Sequence, residues 1–80
     1  MGEARPEIVK IPYKEFRIEL SIYMTQQGGY ACTGNLVRPQ KDGWLAVGLS
    51  IQGGEFKTRE AAIEAGIAAG KTRADKGFDA

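Results

Sequence analysis

Ala65-Gly-Ile-Ala-Ala-Gly-Lys-Thr72 is the run whose residue types and spacing come nearest to a recognisable chemistry. It satisfies a permissive phosphate-binding loop, with alanine in place of the first glycine; Lys71 would reach the phosphates and Thr72 a magnesium ion. That chemistry needs a buried strand before the loop and a helix opening after it, so that backbone amides converge on the anion. Here the run continues Thr58-Arg-Glu-Ala-Ala-Ile-Glu64, which already reads as helix. The match is an alanine- and glycine-rich helix ending in basic residues, and no nucleotide is expected to bind.

Other routes to catalysis are thinly supplied. The 80 residues contain no histidine, which removes the commonest general base and metal ligand. Ser-His and Cys-His nucleophilic schemes cannot be assembled within one chain. Cys32 is the only cysteine, so neither a usual Cys/His zinc site nor an internal disulfide can form. It is expected to face the core as a small hydrophobe. Glu15, Glu19, Glu55, Glu60 and Glu64 fall on exposed strand or helix positions, which reads as a solvated surface rather than a catalytic pair. The expectation is a non-enzymatic protein with no cofactor and no metal.

The elements that would position any site follow from periodicity. Phe16, Ile18, Leu20, Ile22 and Met24 alternate with Arg17, Glu19, Ser21, Tyr23 and Thr25. Successive strand side chains point to opposite faces, so this pattern predicts a strand over 13–25 in an antiparallel sheet covered on one side. Gln26-Gln-Gly-Gly29 is a turn signal. A second strand is expected over 30–38, with Tyr30, Cys32, Gly34 and Leu36 inward and Ala31, Thr33, Asn35 and Val37 outward. After a turn at Pro39–Gly43, a third is expected over 44–51, with Leu45, Val47, Leu49 and Ile51 inward. Thr58 is a suitable N-cap and Glu60 suits the first helical turn, so a helix is expected over 59–75. Gly66 and Gly70 within it each cost about 1 kcal/mol against alanine, and the compensation expected is a helix lying very close to the sheet.

The fold class is therefore α+β, a three-stranded antiparallel meander with one C-terminal helix on its apolar face (β-β-β-α). Residues 13–76 form the single domain, 1–12 a flexible, proline-punctuated N-terminal arm, and 77–80 a C-terminal tail. A 42% hydrophobic and 26% charged composition is that of an ordinary globular chain. No apolar run approaches the roughly 20 residues of a membrane span, and no signal core opens the sequence; no membrane contact and a cytoplasmic location are expected.

Two binding surfaces result. On the open sheet face, Arg17, Tyr23, Val37 and Trp44 make an aromatic–apolar–arginine group of the composition favoured at protein interfaces. At the pole where the helix ends, Lys10, Lys14, Arg38, Lys41, Lys71, Arg73 and Lys76 gather seven of the 11 cations. The net charge is only +1, which gives little long-range attraction to a polyanion. A protein partner or self-association through the sheet face or a sheet edge is the leading expectation. Weak RNA or DNA binding at the basic pole is the alternative.

The order β-β-β-α, with Gly53-Gly-Glu-Phe-Lys-Thr-Arg-Glu-Ala-Ala62 leading into the helix, resembles short uncharacterised proteobacterial proteins with a threonine-capped, Glu-Ala-rich last segment. The layout is similar to the HicB-type antitoxin domain, which implies masking of a toxin partner. It also resembles the second half of the double-stranded-RNA-binding domain, which implies RNA contact at the helix start, although Glu60 and Glu64 stand where that family is basic.

ATP with magnesium should leave the Tm unchanged, because only a ligand of the native state raises it. Saturable ATP binding that disappears in Lys71→Ala would restore the nucleotide reading.

Overall fold

The computed structural model describes residues 5–76, so the tail expected at 77–80 and the first four residues of the arm lie outside the described residues. Four strands and one helix follow in order: β1 (Glu7–Tyr13), β2 (Phe16–Met24), β3 (Tyr30–Gln40), β4 (Gly43–Gly48) and α1 (Arg59–Lys76). The strands form one antiparallel sheet in the order β1-β2-β3-β4. The architecture is α+β as expected, with four strands in place of three.

The extra strand comes from residues 7–12, expected as part of the N-terminal arm. Val9, Ile11 and Tyr13 turn inward against the core, while Ile8, Lys10 and Pro12 face out. A two-residue turn at Lys14–Glu15 then brings Tyr13 opposite Phe16. Lys14 adopts φ 57°, the left-handed region that such hairpin turns require at their first position. Inward residues are odd-numbered before this turn and even-numbered after it, which is the mark of two paired strands rather than one long one. The remaining boundaries shift modestly. β3 runs on to Gln40, so the next turn is Lys41–Asp42, and β4 stops at Gly48 rather than Ile51.

The core lies between the sheet and α1. Ile18, Leu20 and Leu36 are its largest fully buried side chains, joined by Phe16, Ile22, Cys32, Ala62 and Ala74. Met24, expected inward, is exposed at the end of β2. On α1 the buried stripe is Ala62, Gly66, Gly70 and Ala74, one residue per turn at i, i+4 spacing. Ile63 and Ile67 flank it, half-buried against the same core. Among the described residues the helix packs on β2 and β3, reaches β1 lightly, and keeps its backbone well away from that of β4.

Local signals set the helix and its approach. The Thr58 hydroxyl accepts from the Ala61 amide at 3.0 Å and its carbonyl from the Ala62 amide at 3.2 Å, which caps the first turn. The segment before the cap is held to the sheet by a reciprocal pair of backbone hydrogen bonds between Tyr30 and Phe56, at 2.8 and 2.7 Å. A Cβ on Gly66 would fall 2.7 Å from a Leu20 methyl and 2.9 Å from Cys32 Sγ; one on Gly70 would fall 2.7 Å from Ile18. All three distances are shorter than side chains tolerate.

Gly66→Ala and Gly70→Ala should therefore each lower the Tm, although propensity alone favours alanine by about 1 kcal/mol. Overpacking costs about 1–3 kcal/mol and outweighs that gain. A raised Tm in thermal denaturation of either variant would refute the close approach.

Candidate functional site

Strand register fixes where the expected site residues stand. Arg17 and Val37 are direct cross-strand partners on the open sheet face, and Ala46 is opposite Val37 on its other side. Trp44 lies one row further toward the turn, opposite Pro39, and is 70% exposed. Arg17, Val37 and Trp44 are thus brought into neighbouring rows. Tyr23 is not: it sits six residues along β2, about 20 Å away, opposite Ala31. Val37, expected as an exposed contact, is only 4% exposed, so it can support this face but offers little area to a partner. Arg17 donates from Nε to Glu19 at 2.6 Å, which fixes its head along the face.

Topology brings most of the basic pole together, and Lys14, Arg38 and Lys71 are engaged within it. Lys14 Nζ lies 2.6 Å from Asp75, which also accepts from the Tyr13 hydroxyl at 3.0 Å. Lys14 and Lys71 both stand over the Tyr13 ring, at 5.2 and 5.6 Å from its centre. Arg38 lies 3.8 Å from Glu15. Lys41 sits in the β3–β4 turn. Lys10 stands apart from this pole, on the open face opposite Glu19. Arg73 and Lys76 line a groove of about 500 Å³ with Leu49, Ala65, Ala69 and Thr72. The net effect is a fastening of the β1–β2 turn to the C-terminal end of α1.

Sequence reasoning did not single out the free edge of β4. The Leu49 amide donates to the Gly34 carbonyl at 2.9 Å, which makes that pair hydrogen-bonded. In an antiparallel ladder such pairs alternate, so Leu45 and Val47 bond to β3 while the peptide groups of Trp44, Ala46 and Gly48 point away from the sheet. β4 is Gly-Trp-Leu-Ala-Val-Gly, without a charge or a proline. Leu45, expected inward, is 45% exposed because α1 stops short of β4. The opposite edge is blunted: on β1 the outward peptide groups belong to Ile8, Lys10 and Pro12, and Pro12 has no N–H to offer. The missed signal was the bare composition of 43–48 beside the Lys- and Pro-bearing 7–13.

Titratable groups reflect ion pairing on the surface. The hydrogen bond from Arg59 holds Glu7 below the usual carboxylate value, and those from Lys14 and Tyr13 do the same for Asp75. Lys14 is raised by its hydrogen bond to Asp75. Burial pushes the Cys32 thiol up, away from the thiolate form that would make it reactive. No three His, Cys, Asp or Glu side chains converge on a common point among the described residues. Among the described residues no helix is long and apolar enough to cross a membrane. Comparison with protein-family models, with curated proteins and with solved structures returns no match for this chain.

The Asp75 cluster generates a pH prediction. A carboxyl with a depressed folded pKa binds fewer protons folded than unfolded, so its stabilisation is full above the ordinary carboxylate pKa and is lost as pH falls through the folded value. Asp75→Asn should therefore lower the Tm near neutrality and flatten its acid-side decline, the two proteins converging at low pH. Added salt should shrink the difference, since the pair is exposed. A Tm gap that persists at low pH would show that the cluster acts by packing alone.

Proposed function

We propose that this chain is a non-enzymatic protein-binding module whose binding element is the free edge of β4, flanked by Trp44 on the open face and Leu45 on the helix face. The observation that carries this reading is the outward row of peptide groups at Trp44, Ala46 and Gly48 on a strand without charge or proline. An unpaired edge is a template for an additional strand, in which main-chain hydrogen bonds supply affinity and alternate side chains supply choice. The exposed Trp44 provides the large, rigid contact area that dominates interfaces. Leu45 adds an apolar contact on the other side of the same strand.

The distribution of charge supports the same assignment. Lys14, Lys71 and Arg38 face Asp75, Tyr13 and Glu15 within the fold, which leaves less cationic surface for a phosphate backbone. Binding dominated by main-chain pairing should depend weakly on salt. Lack of histidine removes the usual acid–base and nucleophilic constellations, in keeping with recognition rather than turnover.

Selection from a displayed library of extended peptides tests the proposal. Peptides should be enriched whose binding is lost in Ala46→Pro, which deletes an outward amide that β3 does not use. Trp44→Ala should weaken binding about tenfold or more, and raising the salt should change it little. Enrichment that survives Ala46→Pro, or the tightest ligand proving to be mixed-sequence duplex RNA or DNA with a steep salt dependence, would overturn it.

A further inference from the structure

We propose that the strand this edge takes is β4 of a second copy of the chain, paired antiparallel about a two-fold axis at Ala46; this rests on the reading of β4 as a free edge. Symmetric pairing of two edges is possible only if the outward peptide groups of one copy meet those of the other with their side chains on the same faces. The register that sets Ala46 against itself meets both conditions. It places Trp44 opposite Gly48 of the second copy, and Gly48 opposite its Trp44. All three outward residues of each strand then exchange N–H···O bonds, so no free peptide group of either edge is left over.

The side chains of the two copies are complementary in this register. On the open face the largest residue of the strand meets a residue with no side chain, so the indole has room to lie across the neighbouring backbone, a pairing that shields an edge glycine. Among the described residues a Cβ at Gly48 would have only Asn35 Oδ1 near it, at 3.9 Å, so they leave that space open. On the helix face Leu45 meets Val47 in the closer, non-hydrogen-bonded pair, and two half-covered aliphatic side chains bury each other. No charge lies within β4, and two copies at net +1 repel weakly. The β1 edge offers no such arrangement, because Pro12 breaks its row of donors.

The product is an eight-stranded sheet with the two helices on one face and the two grooves lined by Ala65, Ala69 and Leu49 facing the axis. Two six-residue edges with few flanking contacts fall in the small interface class, under about 1,200 Å² in total. A reversible dimer of roughly micromolar affinity is expected rather than a permanent one.

Sedimentation velocity of the wild-type chain from about 5 to 500 µM, a range that brackets a micromolar Kd, tests this. Alongside it go Ala46→Pro, Ala46→Lys and the matched edge control Lys10→Pro, each checked for folding by circular dichroism. The expected result is a concentration-dependent monomer–dimer equilibrium. Ala46→Pro should weaken it tenfold or more, since two hydrogen bonds at the axis are lost. Ala46→Lys, which sets two like charges together, should weaken it similarly, and Lys10→Pro should leave it unchanged. A chain that stays monomeric throughout overturns the second copy as occupant. The edge reading then stands or falls separately on peptide selection. A dimer indifferent to both Ala46 variants, or one abolished by Lys10→Pro, places the contact elsewhere and overturns the proposal.

Discussion

The backbone of α1 rests directly on Ile18 and Leu20, and the remainder of the molecule is arranged around that contact. Gly66 and Gly70 leave no space for even a methyl group at their Cα atoms. A helix this close buries its glycine backbone against the branched ends of β2 and excludes solvent with few large side chains of its own. The cost is helix propensity, about 1 kcal/mol at each glycine. The gain is dense contact over β2 and the adjoining part of β3, where Leu36 and Cys32 complete the layer. A narrow helix seated low on two central strands cannot also reach the fourth. The exposure of Leu45 is thus a consequence of the same packing that makes the core.

That geometry leaves the two sheet edges unequal. β1 is held at its turn by the Tyr13–Lys14–Asp75 cluster and carries lysine and proline along its outer side. Among the described residues β4 pairs with β3 alone, and it carries neither. Natural sheets blunt their edges with charge or proline, so an edge lacking both invites another strand. Electrostatics work in the same direction. Lys14 and Lys71 are engaged around Tyr13 and Asp75, which lowers their availability to a polyanion.

Much of this was legible in the sequence where side-chain period and fold agree. The alternation from Phe16 to Ile22 gave the central strand, Thr58 the helix cap, and Gly66 and Gly70 the close helix. The first strand was hidden because Lys14-Glu15 contains no glycine, asparagine or aspartate to announce a turn, and Pro12 argues against a strand unless that strand is an edge. The change of parity between Ile11 and Phe16 was the readable clue. Val37 was misplaced as an exposed contact because the pleat states which face a residue points to, and not how far its neighbours cover it. The β4 edge could not be ranked before its outer side was known to be uncovered, which depends on how far α1 reaches across the sheet rather than on any residue within the strand.

Amide hydrogen exchange followed residue by residue along β4 tests the central claim most directly. At protein concentrations low enough to keep the chain monomeric, the amides of Leu45, Val47 and Leu49 should be protected by their bonds to β3. Those of Trp44, Ala46 and Gly48 should exchange near the rate of an unstructured peptide. Alternating protection of this kind is what a free edge requires. Uniform protection from Trp44 to Leu49 in the monomer would mean that the chain covers its own edge, and would contradict the account.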